Sequence, residues 1–194
     1  MSQPDPIRLL HAIQRNFDEV SNALLKITAH DQLCRTEITY CGPSFLLIAM
    51  DALVNDAFAH AIRVLDKHKD AASFWYILKC EEKAVRKAAK SAGIDLQQLD
   101  ELSEKLRMVR TKTHFHIDRE AVVDPEAVWK EANLAGSTLI SQLRGLADTL
   151  ARTKQALIGG ELSRVTSYDG SDVPKIVSAY EQCYGPVHGV PPTT

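Results

Sequence analysis

Apolar residues recur along this chain at intervals of three and four, the spacing that places them on one face of an α-helix. The first such pattern runs from about Ile7 to Thr39 and predicts a long amphipathic helix. The Cys-Gly-Pro sequence at 41–43 ends it, because proline cannot donate a backbone hydrogen bond and restricts the residue before it. Ser44 is then a suitable N-cap for a second, largely apolar helix that reaches about Lys67.

The rest of the chain continues the helical pattern. Ser73 is predicted to begin a third helix that runs on to Gly93, and another helix follows over residues 95–110. The Asp-Pro-Glu sequence at 124–126 is a strong helix start, because Asp caps and Pro is tolerated in the first turn. It predicts a single helix as far as Leu150.

Strands are not predicted, since no segment alternates apolar and polar residues in the way of a half-buried strand. We therefore predict an all-α protein: an up-and-down bundle of four to five main helices, with an appended short C-terminal helix and a flexible tail. Residues 1–158 form the bundle in this interpretation, and residues 159–194 form a C-terminal extension. The extension begins at Gly159-Gly160, contains one short helix in DVPKIVSAYEQCY, and ends in GPVHGVPPTT.

Composition and charge limit the kinds of partner and cellular location that the chain can have. The chain has 194 residues, with 23 Lys and Arg against 25 Asp and Glu, so it lacks an overall basic field and must hold any anionic partner by a local patch. The four cysteines have no metal-ligand spacing and the N-terminus has no signal-peptide pattern, which together indicate a cytoplasmic protein with reduced thiols. The longest apolar run, FLLIAM, is far shorter than the roughly 20 residues of a membrane span. No membrane association is predicted.

The segment RMVRTKTHFHIDRE, residues 107–120, carries the residues best suited to chemistry on a phosphate. Arg110 is followed six positions later by His116. Histidine titrates near neutral pH and can move a proton, whereas arginine stays charged and can hold a phosphate. Together they predict a metal-independent site that deprotonates a ribose 2′-hydroxyl and stabilises charge on the scissile phosphate. Arg107 and His114 form a rival pair.

Plainer explanations of this segment stay open. Basic residues are favoured at helix C-termini, where each stabilises by about 0.3–1 kcal/mol, and this accounts for Arg107 and Arg110. The histidines would then cap a helix end in a purely structural bundle. His114 and His116 could also chelate a metal, but no further ligand stands at a suitable spacing, so neither a metal nor a cofactor is predicted.

The same segment resembles the signature of the HEPN family, the all-helical domains named for higher eukaryotes and prokaryotes nucleotide-binding. That signature is an Arg and, a short run later, a His at the end of a late helix of the bundle. The matching positions here are Arg110, His116, Asp118 and Arg119. In the branch associated with bacterial abortive infection, an Arg-apolar-apolar-Asp pattern ends a central helix, and Arg63 and Asp66 resemble it. The resemblance covers about residues 7–150.

This resemblance implies a metal-independent endoribonuclease, in which the 2′-oxygen attacks the adjacent phosphate and leaves a cyclic phosphate end. Arg110 would bind the scissile phosphate of the RNA, and His116 would be the general acid/base. It also implies a homodimer with one composite site, and a role as a toxin or phage-defence effector with a small antitoxin partner. The alternative is a non-catalytic HEPN-like module for dimerisation or for binding a nucleotide or partner.

Supporting roles follow from the same resemblance, and they concern His114, Asp118, Arg107, Asp56 and Arg63. In the family, polar residues of the central helix take part in hydrogen bonding with the signature arginine, which is the role implied for Asp56 and Arg63. The plainer alternative is pairing within the helix, since Asp56 and His60 are four residues apart. Thr111 departs from the family pattern, which usually has Asn, Asp or His after the arginine.

Overall fold

The computed structural model describes residues 5–36, 45–114, 125–160 and 168–184. Within these ranges the chain forms helices and no strand, which confirms the predicted all-α helical bundle. A π-helical turn, Arg110–His114, directly follows the fifth helix. The α-helices are α1 Pro6–Arg35, α2 Phe45–Val64, α3 Phe74–Cys80, α4 Glu82–Ser91, α5 Leu96–Val109, α6 Pro125–Ala132, α7 Gly136–Ile158 and α8 Val173–Tyr184.

Helix α1 is the longest element, and it packs against α2, α3, α7 and α8. The Asp5 carboxylate caps it by accepting a hydrogen bond from the Ile7 amide at 3.0 Å. On its inner face Ile13, Val20 and Ala23 are fully buried. The periodicity of the sequence therefore identifies the correct face of this helix.

Helix α2 ends earlier than the sequence predicts, and side chains explain where it stops. The Leu65 carbonyl accepts hydrogen bonds from Trp75 Nε1 at 3.1 Å and from Ser103 Oγ at 2.6 Å. The Asp66 carboxylate accepts one from the His68 amide at 2.8 Å, which closes a local turn. These bonds satisfy backbone groups at the helix end, so the chain can turn here toward α3.

The third predicted helix is in fact two helices, α3 and α4, and the prediction of one continuous helix was wrong. The break is at Glu81, whose backbone has φ −131° and ψ 51°. Phe74 and Ile77 of α3 are buried on the side of α1, whereas Ala88 and Ala89 of α4 are buried on the side of α7. The change of direction at Glu81 allows both helices to turn their apolar faces into the core.

The helix predicted from residues 124–126 to Leu150 is also divided, into α6 and α7. Asn133 separates them with a φ of 47°, a conformation that asparagine tolerates better than most residues. Val128 and Ala132 of α6 cover Val109 at the end of α5, in a small cluster apart from the main core. Helix α7 instead joins the main core against α1 and α4.

Helix α8 confirms the short helix predicted after the bundle, and it packs on the bundle. Val173 and Val177 are buried against Leu33 of α1 and Leu46 of α2. The predicted flexible end, residues 185–194, lies outside the described residues. The described part of the extension is therefore a packed helix on the side formed by α1 and α2.

Helix α2 is the one described helix that is long and apolar enough, by length and composition alone, to cross a membrane. About a third of its apolar window is buried in the bundle. Its C-terminal half carries His60 and Arg63, which bond to a carboxylate of α1, and such groups are costly in a bilayer. We therefore describe α2 as a bundle helix whose N-terminal part leaves Phe45 and Ile48 exposed.

Candidate functional site

A small cleft lies between the end of α2 and helix α5, and it contains both predicted arginines. Its volume is about 50 Å³. That space suits a phosphate-sized group, so a bound nucleoside would lie mostly outside it. The polar side chains that line the cleft are Asp66, Lys67, Ser103, Glu104, Arg107 and Arg110. We refer to it as the Arg110 cleft.

Arg110 stands at the point where α5 gives way to the π-helical turn. Its Nη1 lies 3.8 Å from Asp66 Oδ2, and its side chain is 40% exposed. A long ion pair between partly solvated groups contributes little to stability, and the guanidinium stays accessible to a ligand. Short π-helical turns are frequent at functional sites, since they change the direction of the side chains that follow.

Arg107 and Lys67 share a carboxylate partner, Glu104. Arg107 donates from Nε and Nη2 to Glu104 Oε2, both at 2.9 Å. Lys67 lies 2.6 Å from Asp100 Oδ1 and 2.9 Å from Glu104 Oε1. The hydrogen bond from Lys67, with that from Arg107, lowers the pKa of Glu104. Burial lowers the pKa of Lys67, but its bonds to the two carboxylates outweigh burial, so this pKa lies above its ordinary value.

Positive and negative groups balance around the Arg110 cleft. The cations are Lys67, Arg107 and Arg110, and the carboxylates are Asp66, Asp100 and Glu104. An anion that binds here must therefore compete with a carboxylate already present. The sequence pattern singled out the two arginines and, through the family resemblance, Asp66, but it did not single out Asp100 or Glu104.

Part of the predicted site lies outside the described residues. His116 and Asp118 belong to that part, and so does Arg119 of the family signature. The backbone of His114 belongs to the π-helical turn, but its side chain is not described. The pairing of Arg110 with His116 therefore remains a prediction from the sequence.

Asp56 and Arg63, the supporting residues predicted on α2, bond to α1 in this structure. Arg63 Nη1 lies 3.0 Å from Glu19 Oε2, and Lys26 Nζ lies 2.9 Å from Asp56 Oδ2. The carboxylate that reaches the Arg110 cleft from the end of α2 is Asp66. It is the last residue of the Arg-apolar-apolar-Asp pattern that resembles the family.

Sequence reasoning missed a buried ionic network between α1 and α2, which we call the Glu19–His60 network. Glu19 and His60 are 6% and 9% exposed. His60 Nδ1 lies 2.6 Å from Glu19 Oε2, and His60 Nε2 lies 2.8 Å from Lys26 Nζ. The sequence did carry a signal that these two side chains face the core, because each stands four residues before a buried one. Glu19 precedes Ala23 in this way, and His60 precedes Val64.

Both carboxylates of this network have altered acidity. Burial raises the pKa of Glu19, but hydrogen bonds from His60 and Arg63 outweigh it and bring the pKa below its ordinary value. The hydrogen bond from Lys26 lowers the pKa of Asp56. Both groups are therefore ionised at neutral pH.

No group of three or more His, Cys, Asp or Glu side chains in the described ranges is arranged to hold a metal ion. Cys34, Cys80 and Cys183 are free thiols. Comparisons with protein-family models, with known proteins and with solved structures found no match to this chain. The resemblance to the HEPN family stays one of motif residues and order of elements.

Proposed function

We propose that this chain is a metal-independent endoribonuclease of HEPN type. The observation that supports it best is the position of Arg110, half-exposed in a cleft of phosphate size and 3.8 Å from Asp66. In this proposal Arg110 binds the scissile phosphate, and His116 acts as general acid/base. Two copies of the chain form one composite site, and the protein serves as a toxin or phage-defence effector with a small antitoxin partner.

The proposed reaction balances without a metal or cofactor. A base takes the proton of a ribose 2′-hydroxyl, and the 2′-oxygen attacks the adjacent phosphorus. The bond from phosphorus to the 5′-oxygen breaks, and an acid protonates that oxygen as it leaves. The products are a 2′,3′-cyclic phosphate and a 5′-hydroxyl. Imidazole suits the proton transfers, and the fixed charge of Arg110 suits the negative charge that develops on phosphorus.

The balance of charges in the cleft gives Asp66 a part in this proposal. A phosphate approaching Arg110 must displace the Asp66 carboxylate from the guanidinium. The displacement is cheap, because an exposed pair of this kind contributes on the order of 0.2–1 kcal/mol. Forked, two-bond contact of arginine with phosphate offsets that cost.

The test is a cleavage assay in EDTA with purified protein and a mixed RNA pool, scored by cyclic-phosphate ends. Wild-type protein is expected to cleave, whereas Arg110→Ala and His116→Ala are expected to lose about a hundredfold or more of the rate. Arg152→Ala is the matched control, because Arg152 is also partly exposed and ion-paired but lies on α7 with Asp148. Circular dichroism checks that each variant is folded.

Two results would overturn the proposal: folded wild-type protein that leaves every RNA in the pool intact, or an Arg110→Ala variant that cleaves as fast as wild type. Cleavage that stops in EDTA would exclude the metal-independent mechanism. Loss of activity in Arg152→Ala as well would show that the assay reports a general effect of removing surface charge.

A second candidate is a non-catalytic HEPN-like module that dimerises or binds a nucleotide or partner. The equal number of cations and carboxylates at the Arg110 cleft favours it, because strong RNA binding usually needs an excess of positive charge. This candidate predicts that a mononucleotide binds wild type and not Arg110→Ala, while neither protein cleaves RNA.

A further inference from the structure

Both ring nitrogens of His60 are engaged, and their partners fix the state of the ring. Nε2 lies 2.8 Å from the Lys26 ammonium, which can only donate, so Nε2 must accept and carries no hydrogen. Nδ1 lies 2.6 Å from the Glu19 carboxylate, which accepts, and 3.1 Å from Arg63 Nη1, which donates. The shorter contact assigns the hydrogen to Nδ1. The geometry therefore corresponds to a neutral imidazole with its hydrogen on Nδ1.

The charged groups around this ring come from both helices. Arg15 Nη2 lies 2.7 Å from Glu19 Oε1, and Arg63 Nη1 lies 3.0 Å from Glu19 Oε2 and 3.1 Å from His60 Nδ1. Asp56 Oδ2 lies 3.6 Å from His60 Nε2 and is already bonded to Lys26. Cations therefore outnumber carboxylates here even while the ring is neutral. The charged groups concerned are Arg15, Glu19 and Lys26 from α1, and Asp56 and Arg63 from α2.

We propose that His60 is a proton-operated latch between α1 and α2. The neutral ring joins Glu19 to Lys26 and so ties the two helices together. A proton added at Nε2 would face the Lys26 ammonium at 2.8 Å, where two donors repel each other. Lys26, whose side chain is 26% exposed, can swing into solvent, and Asp56 then accepts the new hydrogen from Nε2.

The latch also connects to the Arg110 cleft through the end of α2. Arg63 bonds to Glu19 in the network, and Asp66, three residues later, faces Arg110.

The direct test is the nitrogen chemical shifts of the imidazole in histidine-labelled protein, with His60→Gln used to assign the signals. At pH 7.5 the His60 ring is expected to carry hydrogen on Nδ1 and none on Nε2. On acidification Nε2 is expected to gain hydrogen, with the Lys26 side-chain signals shifting in the same titration. A ring with hydrogen on Nε2 at pH 7.5 would overturn the proposal, as would Lys26 signals that do not change when the ring titrates.

The second test compares the melting temperature at pH 7.5 and pH 5.5, a range across which a histidine ring ordinarily titrates. Wild type is expected to lose about 2–4 °C more than Lys26→Met, because only wild type places an ammonium against the protonated Nε2, whereas Arg15 and Arg63 are present in both proteins. His68→Gln, which changes an exposed histidine, is the control and should lose as much as wild type. Equal losses in wild type and Lys26→Met would overturn the latch. The first test is read on unsubstituted protein and needs no RNA, so it stays decisive if Lys26→Met misfolds or if the protein cleaves no RNA.

Discussion

The Asp66 carboxylate lies 3.8 Å from the Arg110 guanidinium, so the group best suited to bind a phosphate already faces an anion. Asp66 holds its place through a separate bond, since its Oδ1 accepts from the His68 amide at 2.8 Å. The carboxylate thus closes the end of α2 with one oxygen and faces the cleft with the other. Removing its charge should affect ligand binding more than it affects the fold.

The first prediction follows from this double role. Asp66→Asn keeps an oxygen for the His68 amide but removes the charge opposite Arg110. We expect its affinity for a short oligoribonucleotide to rise by up to about fivefold, the equivalent of the ~1 kcal/mol upper range for an exposed pair. Fluorescence anisotropy measures it. Asp148→Asn, which breaks an exposed pair on α7, is the control. Equal affinity in wild type and Asp66→Asn would contradict the idea that Asp66 competes with phosphate for Arg110.

The second prediction compares two phenylalanines in different surroundings. Phe74 is fully buried in the main core, with its ring centroid 5.4 Å from that of Trp75 in an edge-to-face arrangement. Phe74→Ala should therefore lower the free energy of unfolding by about 3–5 kcal/mol. Phe45 is 68% exposed, so Phe45→Ala should change it by no more than about 0.5 kcal/mol. Urea unfolding followed by circular dichroism measures both, and similar losses would contradict the assignment of the core.

A feature of the fold could be predicted from the sequence where neighbouring residues determine it, and could not where contacts with distant residues determine it. The inner faces of α1 and α5 could be predicted because burial of a helix repeats every three or four residues. The breaks at Glu81 and Asn133 could not, because they arise where the chain must turn toward different neighbours in the bundle. Asparagine at 133 is at most a weak local signal for such a turn.

The candidate site shows the same division. Arg107 and Arg110 could be located from the sequence, because basic residues at a helix end form a compact local pattern. The contact between Asp66 and Arg110 could not be predicted, because Asp66 is distant in sequence and reaches Arg110 only through the packing of α2 on α5. The bond between Glu19 and His60 likewise joins residues 41 positions apart.

The third prediction concerns two glycines of α7. A Cβ added at Gly145 would lie 2.4 Å from Ile94 Cδ1, inside the packed core, whereas one added at Gly136 meets nothing within 4 Å. Gly145→Ala should therefore lower the free energy of unfolding by up to about 2 kcal/mol, because an overpacking cost of about 1–3 kcal/mol is partly offset by the roughly 1 kcal/mol by which alanine favours a helix interior over glycine. Gly136→Ala should leave it unchanged or raise it by a few tenths of a kcal/mol to about 1 kcal/mol, because alanine restricts the unfolded chain. Urea midpoints measure the difference, and Gly145→Ala as stable as Gly136→Ala would contradict the close packing of α7 on Ile94.

The last prediction concerns acid, and its sign follows from the carboxylates with lowered pKa values. Glu19, Asp56 and Glu104 all have pKa values below their ordinary values of 4.5 for Glu and 3.8 for Asp. On acidification the unfolded chain therefore binds protons at these positions before the folded chain does. The stability that the three groups contribute is fully present above the ordinary pKa and is lost as the pH falls through the folded values.

We therefore expect the free energy of unfolding, measured in urea from pH 5 to pH 3, to fall less steeply in Glu19→Gln than in wild type. Glu19 is the informative choice, because it is buried and its bonds from His60 and Arg63 need the ionised form. Glu101→Gln, an exposed position on α5, is the matched control and should keep the wild-type slope. Identical slopes in wild type and Glu19→Gln would show that the network does not depend on the charge of Glu19.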